Sequence, residues 1–157
     1  MADKKKITWH TRVPWVDKLR PDLKPKVVHN PRGPGTMLVP SPLFVAEAIR
    51  RVRSGRLITP RVLRERMAQQ FGADQSCPMT TGILLHIVAG AAEEQLHAGR
   101  RPVAPYWRVV DDKGRLNQKS PFGPARQAAH LRREGHRVER LTGGGGWRVV
   151  EFEKVLV

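Results

Sequence analysis

A phenol and an indole stand side by side at Tyr106-Trp107, within the stretch APYWRVVDDKGRL that spans residues 104–116. The apolar-polar rhythm about Val109 and Val110, closed by the turn Asp111-Asp112-Lys113-Gly114, predicts a short strand entering a tight connection. Tyr106 and Trp107 would then stand at the mouth of that strand. There Tyr106 offers a flat apolar face with a hydroxyl at its rim. Stacking of a nucleobase on such a face is commonly worth about 1–3 kcal/mol. A second reactive group is Cys77, which precedes Pro78 at the start of a predicted helix. A helix N-terminus lowers a thiol pKa, so a nucleophile is one reading; a structural, partly buried thiol is the other, since no histidine lies at obvious reach. As the single cysteine it excludes an internal disulfide and a cysteine-based metal cluster, and the six histidines show no paired ligand spacing. Neither a metal nor a cofactor is expected. The run Gly143-Gly144-Gly145-Gly146 lacks the strand-Gly-x-Gly-x-x-Gly-helix context of a phosphate cradle and reads as a hairpin tip.

The net charge narrows the partners. Lys and Arg number 29 against 14 Asp and Glu, a formal +15. Such a surplus concentrates polyanions, and counterion release would make their binding salt-dependent. DNA is the expected partner and RNA the alternative, with a ribosomal or acidic-protein contact behind both. No window holds eighteen apolar residues, and Lys4-Lys5-Lys6 is followed by Trp9, His10 and Arg12 rather than an apolar run. A membrane partner is therefore not expected; a soluble monomer of the cytoplasm, nucleoid-associated in a bacterium, is.

The elements that must position these groups follow from punctuation and period. Residues 1–36 mix Lys18, Arg20, Lys24 and Lys26 with Pro14, Pro21, Pro25, Pro31 and Pro34, which predicts an extended basic arm, with Trp9 and Trp15 able to anchor it on a domain at 37–157. Pro42 opens a helix with Val45, Ile49 and Val52 inward. Thr59-Pro60 opens a second, with Leu63, Met67 and Phe71 on one face up to Gly72. After Cys77-Pro78, Thr80 or Thr81 can cap a longer helix. Its first half is apolar nearly all round and predicted buried, with Glu93 and Glu94 at its exposed end. Pro124–Glu134 predicts a helix with Ala125, Ala128, Ala129 and Leu131 inward, and Val138 to Phe152 a closing hairpin. The expected fold is mostly α with small β: a winged helix-turn-helix domain with a C-terminal hairpin and a basic N-terminal arm.

The segment PYWRVVDDKGRLN…SPFGPARQAAHLRREGHRV resembles the active-site strand and following helix of the O6-alkylguanine-DNA alkyltransferases, and the resemblance runs back through CPMTTGILLHIVAGAA and GRLITPRVLRERMA to about Gly55. Against the family pattern Pro-Cys-His-Arg-Val, a turn with Ser-x-Gly and a later Glu-Gly, this chain matches at Pro105, Arg108, Val109, Gly114, Leu116, Glu134 and Gly135. The resemblance places Tyr106 at the alkyl-accepting cysteine and Trp107 at the activating histidine. A phenol with a pKa of about 10 is a poorer nucleophile than a thiolate, and an indole relays no proton, so alkyl transfer is not expected. The non-catalytic alkyltransferase-like proteins, which also lack the cysteine and bind alkylated DNA, are the nearer class. The resemblance implies a base pocket framed by Pro105, Tyr106, Trp107, Arg108 and Glu134. It also implies phosphate contacts from Arg56, Arg61, Arg64, Lys119 and Arg126, and close groove approach at Thr80, Thr81 and Gly82. The family's phosphate-turning tyrosine falls at Pro60 and its arginine finger near Gly82. Met79–Ala92, the recognition-helix equivalent, holds no lysine or arginine and is alternatively a plain core helix. The function expected is non-catalytic DNA binding that senses alkylated guanine or assists repair, with a repair protein as a further partner. The rivals are an RNA- or ribosome-associated binder and an enzyme using Cys77.

Overall fold

Each of four helices begins with a proline at its first position, where the missing N–H costs no hydrogen bond. They are α1 (Pro42–Arg50), α2 (Pro60–Gln70), α3 (Pro78–His97) and α4 (Pro124–Arg133). The computed structural model describes residues 13–157, so Lys4-Lys5-Lys6 and Trp9 lie outside the described residues. Three strands, β1 (Lys26–His29), β2 (Thr36–Val39) and β3 (Gln75–Ser76), form one sheet in that order. Strands β4 (Val138–Arg140) and β5 (Trp147–Val149) form the C-terminal hairpin, Glu139 opposite Arg148. The whole is a mixed helix-and-strand fold around one core that includes Leu38, Ile49, Leu57, Leu63, Val88 and Leu131.

Local signals explain most helix ends. Thr59 caps α2, its hydroxyl accepting from Val62 N at 3.3 Å. The cap of α3 is Cys77 rather than Thr80 or Thr81. Its Sγ accepts from Thr80 N at 3.5 Å, while Thr81, fully buried, donates Oγ1 to Cys77 O at 2.7 Å. Pro78 is the reason: it claims the first helical position and leaves the residue before it as the cap.

Over its described residues, 13–36, the arm is not a single extended run. Trp15–Leu19 makes a 3-10 helix with Trp15 and Leu19 buried, and β1 pairs antiparallel with β2, Lys26 opposite Val39. Hydrogen bonding thus crosses the expected boundary at residue 37. Prolines forbid long elements but leave room for pieces of four or five residues, and Trp15 and Leu19, one turn apart, give such a piece something to bury. Glu94 fixes it, accepting from Trp15 N at 2.8 Å and Val16 N at 2.9 Å.

Three further expectations fail. The Tyr106 segment is a single 3-10 turn, Tyr106–Arg108, and strand pairing starts only at Val109, which bridges Ile58. The turn after it is as expected, with Asp111 Oδ1 accepting from Lys113 N and Arg115 N at 2.9 and 2.8 Å. In α3 the buried half is the second: Met79 and Ile83 are 66% and 57% exposed, whereas Val88, Ala91 and Ala92 are fully buried and Glu93 nearly so. In α4, Ala125 faces solvent, while Gln127 and His130 turn inward beside Ala128 and Leu131.

Candidate nucleic-acid interface and base cleft

A cleft of about 500 Å³ opens beside Tyr106. One wall is apolar, formed by Leu85 and Ala89 of α3, Pro60 and Tyr106; the other is polar, formed by Asp111, the 115–120 loop and Gln127. Gln127 shapes it from α4: its amide donates to Trp107 O at 3.1 Å and Val109 O at 2.9 Å, and its carbonyl accepts from Asn117 N at 3.2 Å.

Tyr106 is 6% exposed and forms wall rather than projection. Its hydroxyl donates to Glu93 Oε2 at 2.7 Å, an oxygen that His130 Nε2 also meets at 2.7 Å, and Arg126 holds Oε1 at 2.9 Å. Burial pushes the Glu93 carboxyl up, but the hydrogen bonds from His130, Tyr106 and Arg126 outweigh it and bring the pKa down to about 2. Burial, then the neighbouring carboxylate, raises Tyr106, so its phenol stays protonated. The Trp107 ring stacks on His130, centroids 4.2 Å apart, closing the group.

A second buried carboxylate lies behind the turn. Glu134 accepts from Trp107 Nε1 at 2.9 Å and forks with Arg108 at 2.7 and 3.0 Å, both ion-pair side chains being under 15% exposed. Burial works against its ionised form, and hydrogen bonds from Arg108 and Trp107 prevail and lower its pKa. Of the residues expected to frame a base, then, Tyr106 alone lines the cleft. Trp107, Arg108 and Glu134 brace it from behind, and Pro105 caps the turn. Glu93, His130 and Gln127 were not legible as site residues. Arg126, Gln127 and His130 do share one face of α4 by spacing, but the carboxylate that Arg126 and His130 meet lies 33 and 37 residues away, and the backbone groups that Gln127 meets lie 10 to 20 residues away.

The outer residues divide similarly. Lys119 lines the cleft and is exposed, while Arg126 is committed to Glu93 although half its side chain meets solvent. Arg61 pairs with Glu65 at 2.9 Å, Arg64 is half-buried, and both share a hollow with Pro78 at the start of α3. Arg56 lies exposed, reaching Leu156 O at 3.5 Å. Thr81 is buried, Thr80 hydrogen-bonds to Cys77, and Gly82 faces open space, with nothing within 4 Å of where a side chain would begin. For Cys77, burial opposes ionisation and hydrogen bonds from Thr80 favour it, with a net lowering; its sulfur serves as a helix cap.

No protein-family model and no curated protein matches the chain. Among solved structures, S. pombe Atl1 in complex with damaged DNA containing O6-carboxymethylguanine is similar at a TM-score of 0.48 and 17% identity, over 72% of this chain and 90% of that one. A structure of S. pombe ATL in complex with DNA is similar at a TM-score of 0.49 and 18% identity, over the same shares.

Proposed function

We propose that the chain is a non-catalytic DNA-binding protein. In this reading it docks the first half of α3 in a groove, with α2 and α3 as a helix-turn-helix and β4–β5 as its wing, and offers the Tyr106 cleft to an unstacked base. One observation carries it. Gly82, Leu85 and Ala89 recur at helical spacing, so the open strip at Gly82, flanked by exposed Met79 and Ile83, runs straight into the cleft wall. Arg61 and Arg64 stand beside the start of that strip. An apolar, glycine-bearing helix face edged by cations suits a groove, where apolar side chains enter between base steps and cations meet phosphates. The protonated, fully engaged Tyr106 supports a binding role over alkyl transfer. The resemblance to alkyltransferase-like proteins supports alkylated guanine as the preferred base, repair as the setting and the cytoplasm as its place.

Competition between duplexes with and without O6-methylguanine, single-stranded DNA and structured RNA tests this. The lesion duplex is expected to win, with affinity falling steeply as salt rises. Tyr106→Phe keeps the wall and is expected to keep the preference. A preference for structured RNA would replace this function with RNA binding, and equal affinity for both duplexes would remove the lesion.

A further inference from the structure

Among the arginines of the C-terminal part of the chain, two groups stand out. Arg115, Arg126 and Arg148 are each answered by a carboxylate: Asp111 at 2.7 Å, Glu93 at 2.9 Å and Glu139 at 2.6 Å. Arg132, Arg133 and Arg140 are exposed and meet no carboxylate among the described residues. Two of these three converge on one half-buried ring: Arg132 and Arg140 lie 5.6 and 5.4 Å from the centroid of Trp147. The negative end of the α4 dipole, equivalent to about half an elementary charge, accounts for a cation at Arg132 or Arg133. It does not account for Arg140, which comes from β4 as the cross-strand partner of Trp147. Like charges gathered on one indole without a counterion favour an anion beside them, and the indole holds the planar guanidiniums ready for one.

The position of this deck suggests which anion. Trp147 O accepts from Leu116 N at 2.9 Å, and Gly146 packs under the Gln118 side chain. Leu116 and Gln118 both line the Tyr106 cleft, so the deck is built onto the back of the cleft's polar wall.

We propose that Arg132, Arg140 and Trp147 form a second nucleic-acid contact, outside the cleft, that takes the phosphates of the strand running past its polar wall. This rests on nucleic acid being the partner. Guanidinium forks match phosphate oxygens in pairs, and an aromatic ring between them tolerates a neighbouring base of any sequence. The contact adds affinity and carries no base preference.

The test uses the full chain and labelled duplexes with and without O6-methylguanine, titrated across a salt series. Arg132→Gln with Arg140→Gln is expected to flatten the log-log salt slope by about 2 while leaving the ratio of the two duplex affinities unchanged. Arg132→Lys with Arg140→Lys is expected to restore most of the slope. A wild-type slope in the glutamine pair, with an unchanged melting temperature, overturns the contact while DNA binding itself stands. No binding of either duplex by the wild-type chain overturns both. Polyglutamate that competes against the wild type but not against the glutamine pair assigns the deck to an acidic protein, and so overturns the nucleic-acid assignment.

Discussion

Two glycines sit eight residues apart on α3, and the chain treats them oppositely. A methyl group at Gly90 would lie inside the indole of Trp15, so this glycine is required by the fold itself. Gly82 meets nothing, yet glycine in a helix interior is about 0.5–1 kcal/mol worse than alanine. The second half of the helix is explained by what the chain packs on it: Trp15, the Glu94 cap of the 3-10 helix, and the three donors on Glu93. In the first half Leu84 joins the core and His86 meets Trp15, but nothing in the molecule covers the face of Met79, Gly82 and Ile83, whose apolar side chains are exposed. One helix is therefore core at one end and, in the proposed function, contact surface at the other, and the cleft lies where the two meet.

Breaking the core end has the largest expected effect. Trp15→Ala empties the space that Gly90 makes and is expected to cost about 3–5 kcal/mol, read by denaturant unfolding. Deleting residues 2–26 removes Leu19 as well and is expected to cost at least as much. A truncated protein that melts like the full chain would return these residues to the status of a loose arm.

The next effect is on acid stability. Glu93 has its folded pKa lowered from an ordinary 4.5 to about 2, so its ionised form favours folding. That stability is fully present above the unfolded value of 4.5 and is lost as pH falls toward about 2. Glu93→Gln, which leaves Tyr106, His130 and Arg126 without their anion, is expected to destabilise the protein at neutral pH by about 3 kcal/mol. It should also remove the Glu93 share of the pH dependence between those two values, leaving that of Glu134 and Asp111, whose pKa values are lowered too. An unchanged acid profile would mean that the carboxylate does not hold the cleft wall.

The difference between the two ends of α3 also explains what could be read from the chain alone. The starts of α1, α2 and α4 were legible because proline and its preceding residue act locally, and the Asp111–Gly114 turn and the glycine hairpin tip are local too; at α3 the same rule puts the cap at Cys77, ahead of the threonines expected there. The orientation of α3 was not. Its first half is apolar nearly all round, so periodicity names no inward face, and what decides the matter is Trp15, more than sixty residues upstream of the helix's first turn. Glu93 looked exposed because a carboxylate is seldom buried without partners, and its partners arrive from Tyr106 and α4. The 3-10 turn at Tyr106 replaced the predicted strand because Trp107 and Arg108 both reach for Glu134, which an alternating strand would point to opposite faces.

The smallest expected energy sharpens the comparison most. Gly82→Ala adds one methyl to a helix face with no neighbour to strike, so propensity alone should stabilise the fold by about 0.5–1 kcal/mol, or about 1–4 °C in melting temperature. In a groove-docked complex the same methyl stands between the helix and the DNA backbone, and affinity for duplex should fall even as the protein becomes more stable. Gly90→Ala should do the reverse, lowering stability through the Trp15 clash while altering binding only as far as the fold is lost. Opposite signs of stability and affinity at Gly82 separate a contact surface from a tolerated imperfection. If Gly82→Ala raises the melting temperature and leaves duplex binding untouched, the outward half of α3 is not the docking face, and DNA must be met by another part of the basic surface.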